Sequence, residues 1–347
     1  GVKEALRLAF ARTAPEATHA SVKSYNNHTG VPLSLARMPA DTRFGVFEMG
    51  MNHAGEIARL TRQVRPHVAL ITWVAAVHIE NFASEEGIAD AKAEIFEGLE
   101  PGGTAILPAD NRHFARLRAA AEARAERLLA FGSRADADVR LVDFTPDDGG
   151  SRLVADVAGE ILECRIGMPG RHWANNALAV LAAVHAAGGD IAAAGLALAG
   201  LSELAGRGAR HTLALPGGTA LLIDESYNAN PTSMAAALAV LGSLSGRRLA
   251  VLGAMKELGV HAPALHAGLA APIAAAGIAE LALVGPEMAA LHLPNAVHLP
   301  DWGAALDWAR ATLKPGDVLM VKGSNSIGLG NLVAALGEQA GGQGGRP

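Results

Sequence analysis

Short apolar runs alternate with helical stretches along nearly the whole chain, and this alternation is the strongest constraint on its fold. Residues 44–47, 68–74, 103–107, 128–131, 221–224, 249–252, 281–284 and 318–321 read as strands, most of them apolar throughout. A strand that is apolar on both faces must be covered on both, which a parallel sheet flanked by helices achieves. Residues 1–12, 56–64, 84–99, 115–127, 173–187, 191–201, 232–244, 262–276, 303–313 and 327–338 carry helical spacing. Residues 139–164 switch to a period of two around Asp-Asp and Gly-Gly turns, which predicts a small antiparallel insert. Leu204-Ala205-Gly206-Arg207-Gly208 interrupts the alternation before it restarts. The expected class is α/β, with a parallel, doubly wound sheet in each of two domains, 1–205 and 206–340, and a disordered Gly-rich tail at 341–347.

Composition narrows the functional classes. A chain of 347 residues has material for two buried cores, and with 4% aromatics those cores must be built from Ala, Val and Leu. A net charge of -5 gives no electrostatic reason to expect nucleic acid or a membrane surface as a partner. No apolar run reaches membrane-spanning length without charge or Gly/Pro interruption, and no signal-peptide pattern is present. The lone Cys164 rules out an intramolecular disulfide and fits a reducing, cytoplasmic setting.

Ligands of open α/β sheets collect beyond the carboxyl ends of the strands. Glu48 follows the 44–47 strand and leads into Met49-Gly50-Met51-Asn52-His53, while His78 and Glu80 follow the 68–74 strand. Both strand ends are expected at one edge, where an acid holds a cation or takes a proton; the same Glu serves equally as a turn acid or helix cap. On the 84–99 helix, Ile88, Lys92, Ile95, Phe96 and Leu99 form one apolar face, leaving Glu85, Glu86, Asp90, Glu94 and Glu97 to face water. Lys92 thus projects from the buried side, where burial favours the neutral amine. Such an amine is a nucleophile, a site of carbamate formation with carbon dioxide, or a partner for an acid. The alternative is a stem that packs while its head reaches water.

In the second half, Asp224-Glu225-Ser226-Tyr227-Asn228-Ala229-Asn230-Pro231 and Lys322-Gly323-Ser324-Asn325-Ser326 each stand at a strand's carboxyl end before a helix. They suit a sugar, a phosphate or another anion, and the same residue types also make turns and N-caps.

Taken together, several pieces of the chain resemble the Mur ligase family of ATP-dependent amide-bond-forming enzymes. They are Asn26-Asn27 with Gly30-Val31-Pro32, Glu48-Met49-Gly50 with Asn52-His53-Ala54-Gly55-Glu56-Ile57, Lys92-Ala93-Glu94-Ile95-Phe96, and residues 224–230 with Ser233-Met234. The resemblance runs over nearly the whole chain. It implies an ATPase-type central domain, a Rossmann-like C-terminal domain, and a place in peptidoglycan precursor synthesis with ATP as substrate and Mg2+ as cofactor. Asn228-Ala229-Asn230-Pro231, with no Asp-Asn-Pro-Arg signature, favours the branch that joins D-alanyl-D-alanine to UDP-N-acetylmuramoyl-tripeptide through an acyl phosphate. A monomer is expected, with no nucleic-acid or membrane partner. The resemblance further implies that Glu48, His78 and a carbamylated Lys92 serve the metal site. It puts Asn27 and Lys322 toward the substrate and Asn111, Asn176, Arg207, Asp224 and Asn228 toward ATP. A His is an unusual ligand for a hard, oxygen-seeking cation, which sets His78 apart from Glu48.

The chain departs from the family pattern in three places. The phosphate-binding loop G-x-x-G-K-[ST] would end just before Gly1, because Gly1-Val2-Lys3-Glu4 resembles the start of the helix that follows it. The N-terminal domain that grips the UDP group is also not in this sequence, so negligible ligase activity is expected of this polypeptide alone. His172-Trp173 stands where His-Asn is common, so an adenine contact is lost or replaced by stacking on the indole. Ala254 stands where Asp is usual in Gly253-Ala254-Met255-Lys256-Glu257-Leu258-Gly259, which puts a metal or ribose role of that loop in question. Rival readings are a sister Mur ligase that adds a single amino acid, folylpolyglutamate synthetase, and a non-catalytic nucleotide-binding remnant.

Overall fold

The computed structural model describes residues 1–147, 150–201, 206 and 208–341. Arg207, and the expected tail beyond Gly341, lie outside the described residues. The chain divides into two compact units, residues 1–75 with 81–201, and residues 76–80 with 202–347.

The first unit runs α1 (Val2–Ala11), β1 (Thr18–Ala20), α2 (Gly30–Ala36), β2 (Phe44–Val46), α3 (Glu56–Val64), β3 (Val68–Leu70), α4 (Glu85–Ala93), β4 (Thr104–Pro108), α5 (Phe114–Glu122), β5 (Arg127–Gly132), β6 (Val139–Asp147), β7 (Gly150–Val157), β8 (Glu160–Ile166), α6 (Arg171–Ala186) and α7 (Ile191–Ala199). Among the described residues β1 and β2 make a two-stranded parallel ladder, and the others form a sheet in the order β3-β4-β5-β6-β7-β8. Pairing is parallel from β3 to β6 and antiparallel from β6 to β8. The expected antiparallel segment is β6 to β8, and it continues the parallel sheet through β6. The Ala-rich α6 packs across these strands, and its Leu178 and Leu181 are wholly buried with Phe131, Leu153 and Ile166 in one core.

The strands that precede Glu48 and His78 belong to different ladders among the described residues. Strand β2 pairs with β1, β3 pairs with β4, and residues 76–80 group with the second unit. The 84–99 helix is not uniform. It is α-helical to Ala93 and continues as a 3-10 turn over Glu94–Gly98. Close approach fixes that turn against α3: a Cβ on Gly98 would lie 2.3 Å from the Thr61 carbonyl oxygen.

The second unit runs β9 (Ala209–Leu215), β10 (Gly218–Glu225), α8 (Pro231–Ser243), β11 (Arg248–Gly253), α9 (Ala262–Ala267), α10 (Ala270–Ala276), β12 (Glu280–Val284), β13 (Ala296–Leu299), α11 (Trp302–Thr312), β14 (Val318–Lys322) and α12 (Leu329–Gly341). Among the described residues its sheet has the order β13-β12-β11-β14-β10-β9, parallel except for the β9–β10 hairpin. This is the expected doubly wound arrangement with two additions, β9 and β13, which form its edges. Both carry adjacent exposed residues in mid-strand, so neither shows the unbroken apolar run that marks the central strands. No helix among the described residues is long and apolar enough to cross a membrane.

One buried ion pair ties the turn before β14 to the start of β11. Asp317, 3% exposed, accepts from Arg247 Nε at 3.0 Å, Arg247 Nη2 at 2.8 Å and the Lys314 amide at 2.7 Å. The Arg247 guanidinium holds the Asp317 carboxyl below the usual carboxylate range. A carboxyl whose folded pKa is depressed contributes stability above its unfolded value of about 4 and loses it as pH falls through the folded value. Asp317→Ala is expected to cost about 1–3 kcal/mol, because it leaves the Lys314 amide without its acceptor and removes two charge-assisted bonds, while the part-exposed Arg247 keeps the Thr312 carbonyl and Glu280. Urea unfolding at neutral pH checks the size, and the gap between variant and wild type should shrink as pH drops below about 4.

Candidate active site

Glu48 lies just beyond β2, half-buried, and one of its oxygens accepts from Asn26 Nδ2 at 3.0 Å. The Asn26 carbonyl in turn accepts the Gly50 amide at 2.8 Å. Gly50 permits this approach, since a Cβ there would stand 2.8 Å from Asn26 Nδ2. Asn26 is thus the residue that orients Glu48, a role the sequence reading did not assign. The neighbouring Asn27 uses its side-chain oxygen locally, accepting the Thr29 and Gly30 amides at 3.1 and 2.9 Å as α2 opens. The paired asparagines were the available signal; which of them turns toward Glu48 depends on a partner 22 residues away.

Lys92 sits in the last turn of α4 among Ile88, Ala89, Ala91 and Phe96, all buried. Burial pushes its ammonium pKa down, and the Glu48 carboxylate pulls part of the way back. The helical spacing therefore led to the right environment. The acids on the same segment do not simply face water. Glu85 pairs with Arg112 and His113, Asp90 with Arg116, and Glu97 with Arg62. Glu94 accepts the amides of Gly55 at 2.6 Å and Ala58 at 3.0 Å, capping α3 from a different helix.

The remaining first-unit candidates have structural duties. Asn111, 4% exposed, donates to the Val74 carbonyl at 2.9 Å and accepts the His113 amide at 3.0 Å, tying the loop after β4 to the chain beyond β3. Asn176 stands half-buried in the second turn of α6, next to Asn175, whose Oδ1 is buried without a protein partner. Trp173 packs against the first unit's core, tilted 49° from the His172 ring, so its indole is already engaged in packing.

In the second unit, His78 and Glu257 are both non-glycine residues in the left-handed region, at φ 57° and 63°, a conformation that costs energy and clusters at functional sites. Their side chains meet, His78 Nδ1 against the Glu257 carboxylate, without the geometry of a hydrogen bond. Asp224, 5% exposed, accepts the Gly206 amide at 2.6 Å with one oxygen, and the Ser226 amide at 3.1 Å and hydroxyl at 2.6 Å with the other. Its carbonyl takes the Gly208 amide at 2.8 Å. Asp224 therefore grips the backbone on both sides of position 207.

Lys322 departs from the expected cation facing a cleft. It is 2% exposed, and its ammonium donates to the Asn228 carbonyl at 2.8 Å with Glu225 at 3.5 Å. A lysine at the centre of a parallel sheet must find such partners, and here they hold the Asn228 loop. Beside it, the loops after β11 and β14 are joined. Ser324 Oγ accepts the Lys256 amide at 2.9 Å, and the Ser324 amide donates to the Ala254 carbonyl at 3.2 Å. Ala254 is fully buried, so the Asp usual in the family would be an unsolvated charge in this loop.

Residues 2–184 match the Mur ligase middle domain, and residues 212–325 match the Mur ligase glutamate ligase domain. The chain belongs to the Mur ligase family. It is 34% identical to the UDP-N-acetylmuramoyl-tripeptide--D-alanyl-D-alanine ligase of Escherichia coli, over 90% of this chain and 69% of that protein. The ligase of the same name from Synechocystis is 35% identical over 92% of this chain and 68% of its own length. The crystal structure of MurF from Acinetobacter baumannii superposes with a TM-score of 0.88 at 27% identity, covering 97% of this chain and 74% of that one. MurF ligase from Thermotoga maritima in complex with ADP shares the fold, with a TM-score of 0.84 at 22% identity, over 98% and 78% of the two chains.

A buried lysine beside one carboxylate is a poor stabiliser of a Mur ligase middle domain, since the desolvation cost of the ammonium exceeds what a single partner returns. Lys92→Met, similar in volume, is expected to raise stability by about 1–2 kcal/mol. The urea midpoint measures it, and a loss of more than that amount would show that Lys92 holds the fold together.

Proposed function

We propose that this chain carries the catalytic machinery for ATP-dependent addition of D-alanyl-D-alanine to UDP-N-acetylmuramoyl-tripeptide, a step of peptidoglycan precursor synthesis. The observation that carries the reading is Lys92, on a helix turn whose neighbours Ala91 and Ala93 are buried, with its amine pKa lowered by desolvation and Glu48 as its charged neighbour. Nothing in the fold requires a lysine there. The names of the curated relatives, at up to 35% identity, supply the two substrates.

In this reading ATP phosphorylates the terminal carboxylate of the tripeptide, the dipeptide's amine attacks the acyl phosphate, and phosphate leaves. The protein's part is positioning and charge neutralisation. Mg2+ in such enzymes binds through one or two carboxylates plus substrate phosphates, with no dedicated all-protein cage. The donor set here fits that habit. Glu48 has a single side-chain bond, from Asn26, and among the described residues no three acids, histidines or cysteines cluster into a cage. When bound, the cation would neutralise the charge that develops on the transferred phosphoryl group. Lys92 would join Glu48 only after its neutral amine adds to carbon dioxide and loses a proton, which turns a repelled cation into an oxygen donor.

For the nucleotide, Asp224 would hold the Gly206 and Gly208 amides, and Lys322 would position Asn228 through its carbonyl. Asn176 would meet the nucleotide directly. Asn111 would act by holding the loop after β4 in place. Asn27 would shape the acceptor loop by opening α2.

The test is phosphate release by this chain expressed together with the phosphate-binding loop and UDP-gripping domain that the family pattern calls for, given UDP-N-acetylmuramoyl-tripeptide, ATP and Mg2+, with and without D-alanyl-D-alanine. Release that depends on the dipeptide is expected, and Lys92→Met should lower it by at least about a hundredfold while leaving the protein folded. Release that requires a free amino acid would move the assignment to a sister ligase.

A further inference from the structure

We propose that Glu94 is a positioning residue for Lys92, clamping the segment that bears the lysine to the loop that bears Glu48. The inference rests on the reading of Lys92 given above. It starts from an accounting of backbone donors. The loop between Glu48 and α3, together with the first turn of α3, presents the amides of Asn52, His53, Gly55 and Ala58, which need acceptors outside the helix. Glu56 takes the first two, at 2.6 and 3.1 Å, from within its own turn. Glu94 takes the other two, at 2.6 and 3.0 Å, from 39 and 36 residues away.

That second clamp is what links the two halves of the site. Glu94 follows Lys92 by two residues, at the point where α4 tightens into the 3-10 turn. Each of its oxygens accepts one amide at the positive end of α3, so the two bonds and the helix dipole act in the same direction. The seam continues beyond it. Thr61 Oγ1 donates to the Ile95 carbonyl at 2.7 Å, and Gly98 lies directly on the Thr61 backbone. Those later contacts bind the 3-10 turn to the middle of α3. Glu94 alone among them reaches back to Gly55, toward Glu48. A glutamine could accept one amide through its carbonyl, but its NH2 group would confront the other.

The experiment is lysine footprinting. An amine-reactive acylating reagent is applied at one fixed pH, and labelling is followed peptide by peptide by mass spectrometry for wild type, Glu94→Gln, Glu94→Asp and Thr61→Val. In Glu94→Gln, Lys92 should label about tenfold faster, as expected when a charge-assisted pair opens locally, while the exposed Lys314 keeps its rate. Thr61→Val removes a different bond of the same seam. It should lower Tm yet leave Lys92 labelling unchanged, which separates positioning from general loosening. Glu94→Asp keeps both acceptor oxygens one methylene short and should fall between. A folded Glu94→Gln with wild-type Lys92 labelling overturns the proposal; if that variant does not fold, a wild-type rate in Glu94→Asp does so. Phosphate release retained by Lys92→Met would instead overturn the functional reading of Lys92, and leaves the footprinting result to stand or fall by itself.

Discussion

Parallel pairing of short apolar strands is the constraint from which the rest of this molecule follows. A parallel pair cannot be closed by a tight turn, so each strand must be followed by a crossover. Every crossover begins at the same edge of its sheet. Asp224, Gly253 and Lys322 stand at such strand ends in the second unit, and Glu48 follows one in the first. The small aliphatic cores make this possible, because alanine-rich helices such as α6 can lie close across a sheet without large side chains to hold them off.

A second theme is the use of carboxylates on backbone amides. Glu56 and Glu94 hold the loop into α3, Asp224 holds the chain on both sides of position 207, Asp190 caps α7 and Asp301 caps α11. Each lies at a loop or helix start where unpaired N–H groups concentrate, and an ionised acceptor there is both hydrogen-bonded and favourably placed in the helix dipole. Glu48 contrasts with them. Its bond comes from an asparagine side chain, no backbone amide claims it, and its charge acts on Lys92.

This contrast marks the limit of what could be read from the chain alone. Central strands were legible because burial on both faces leaves an unbroken apolar run, and Lys92 was legible because helical periodicity places a residue on a face. Strands β9 and β13 were not, since these edge strands expose polar residues in mid-strand and resemble loops. For the acids of residues 84–99, periodicity names a face without naming what lies opposite. The partner of Glu85 is 28 residues away and that of Glu94 is 39. Lys322 was misjudged for a related reason. A cation at a strand end looks exposed until the flanking strands β10 and β11 are known to bury it on both sides.

The crevice between β11 and β14 is the place where a doubly wound sheet ordinarily opens to admit a ligand. Here it is filled by the chain itself. A Cβ on Gly323 would come within 3.0 Å of the Gly253 Cα and 2.8 Å of Leu329 Cδ1, so the two glycines meet with no room for a side chain. With the Ser324 hydroxyl and amide bridging the same gap, the two loops form a single rigid lip. A ligand of this unit would therefore find no room between Gly253 and Gly323.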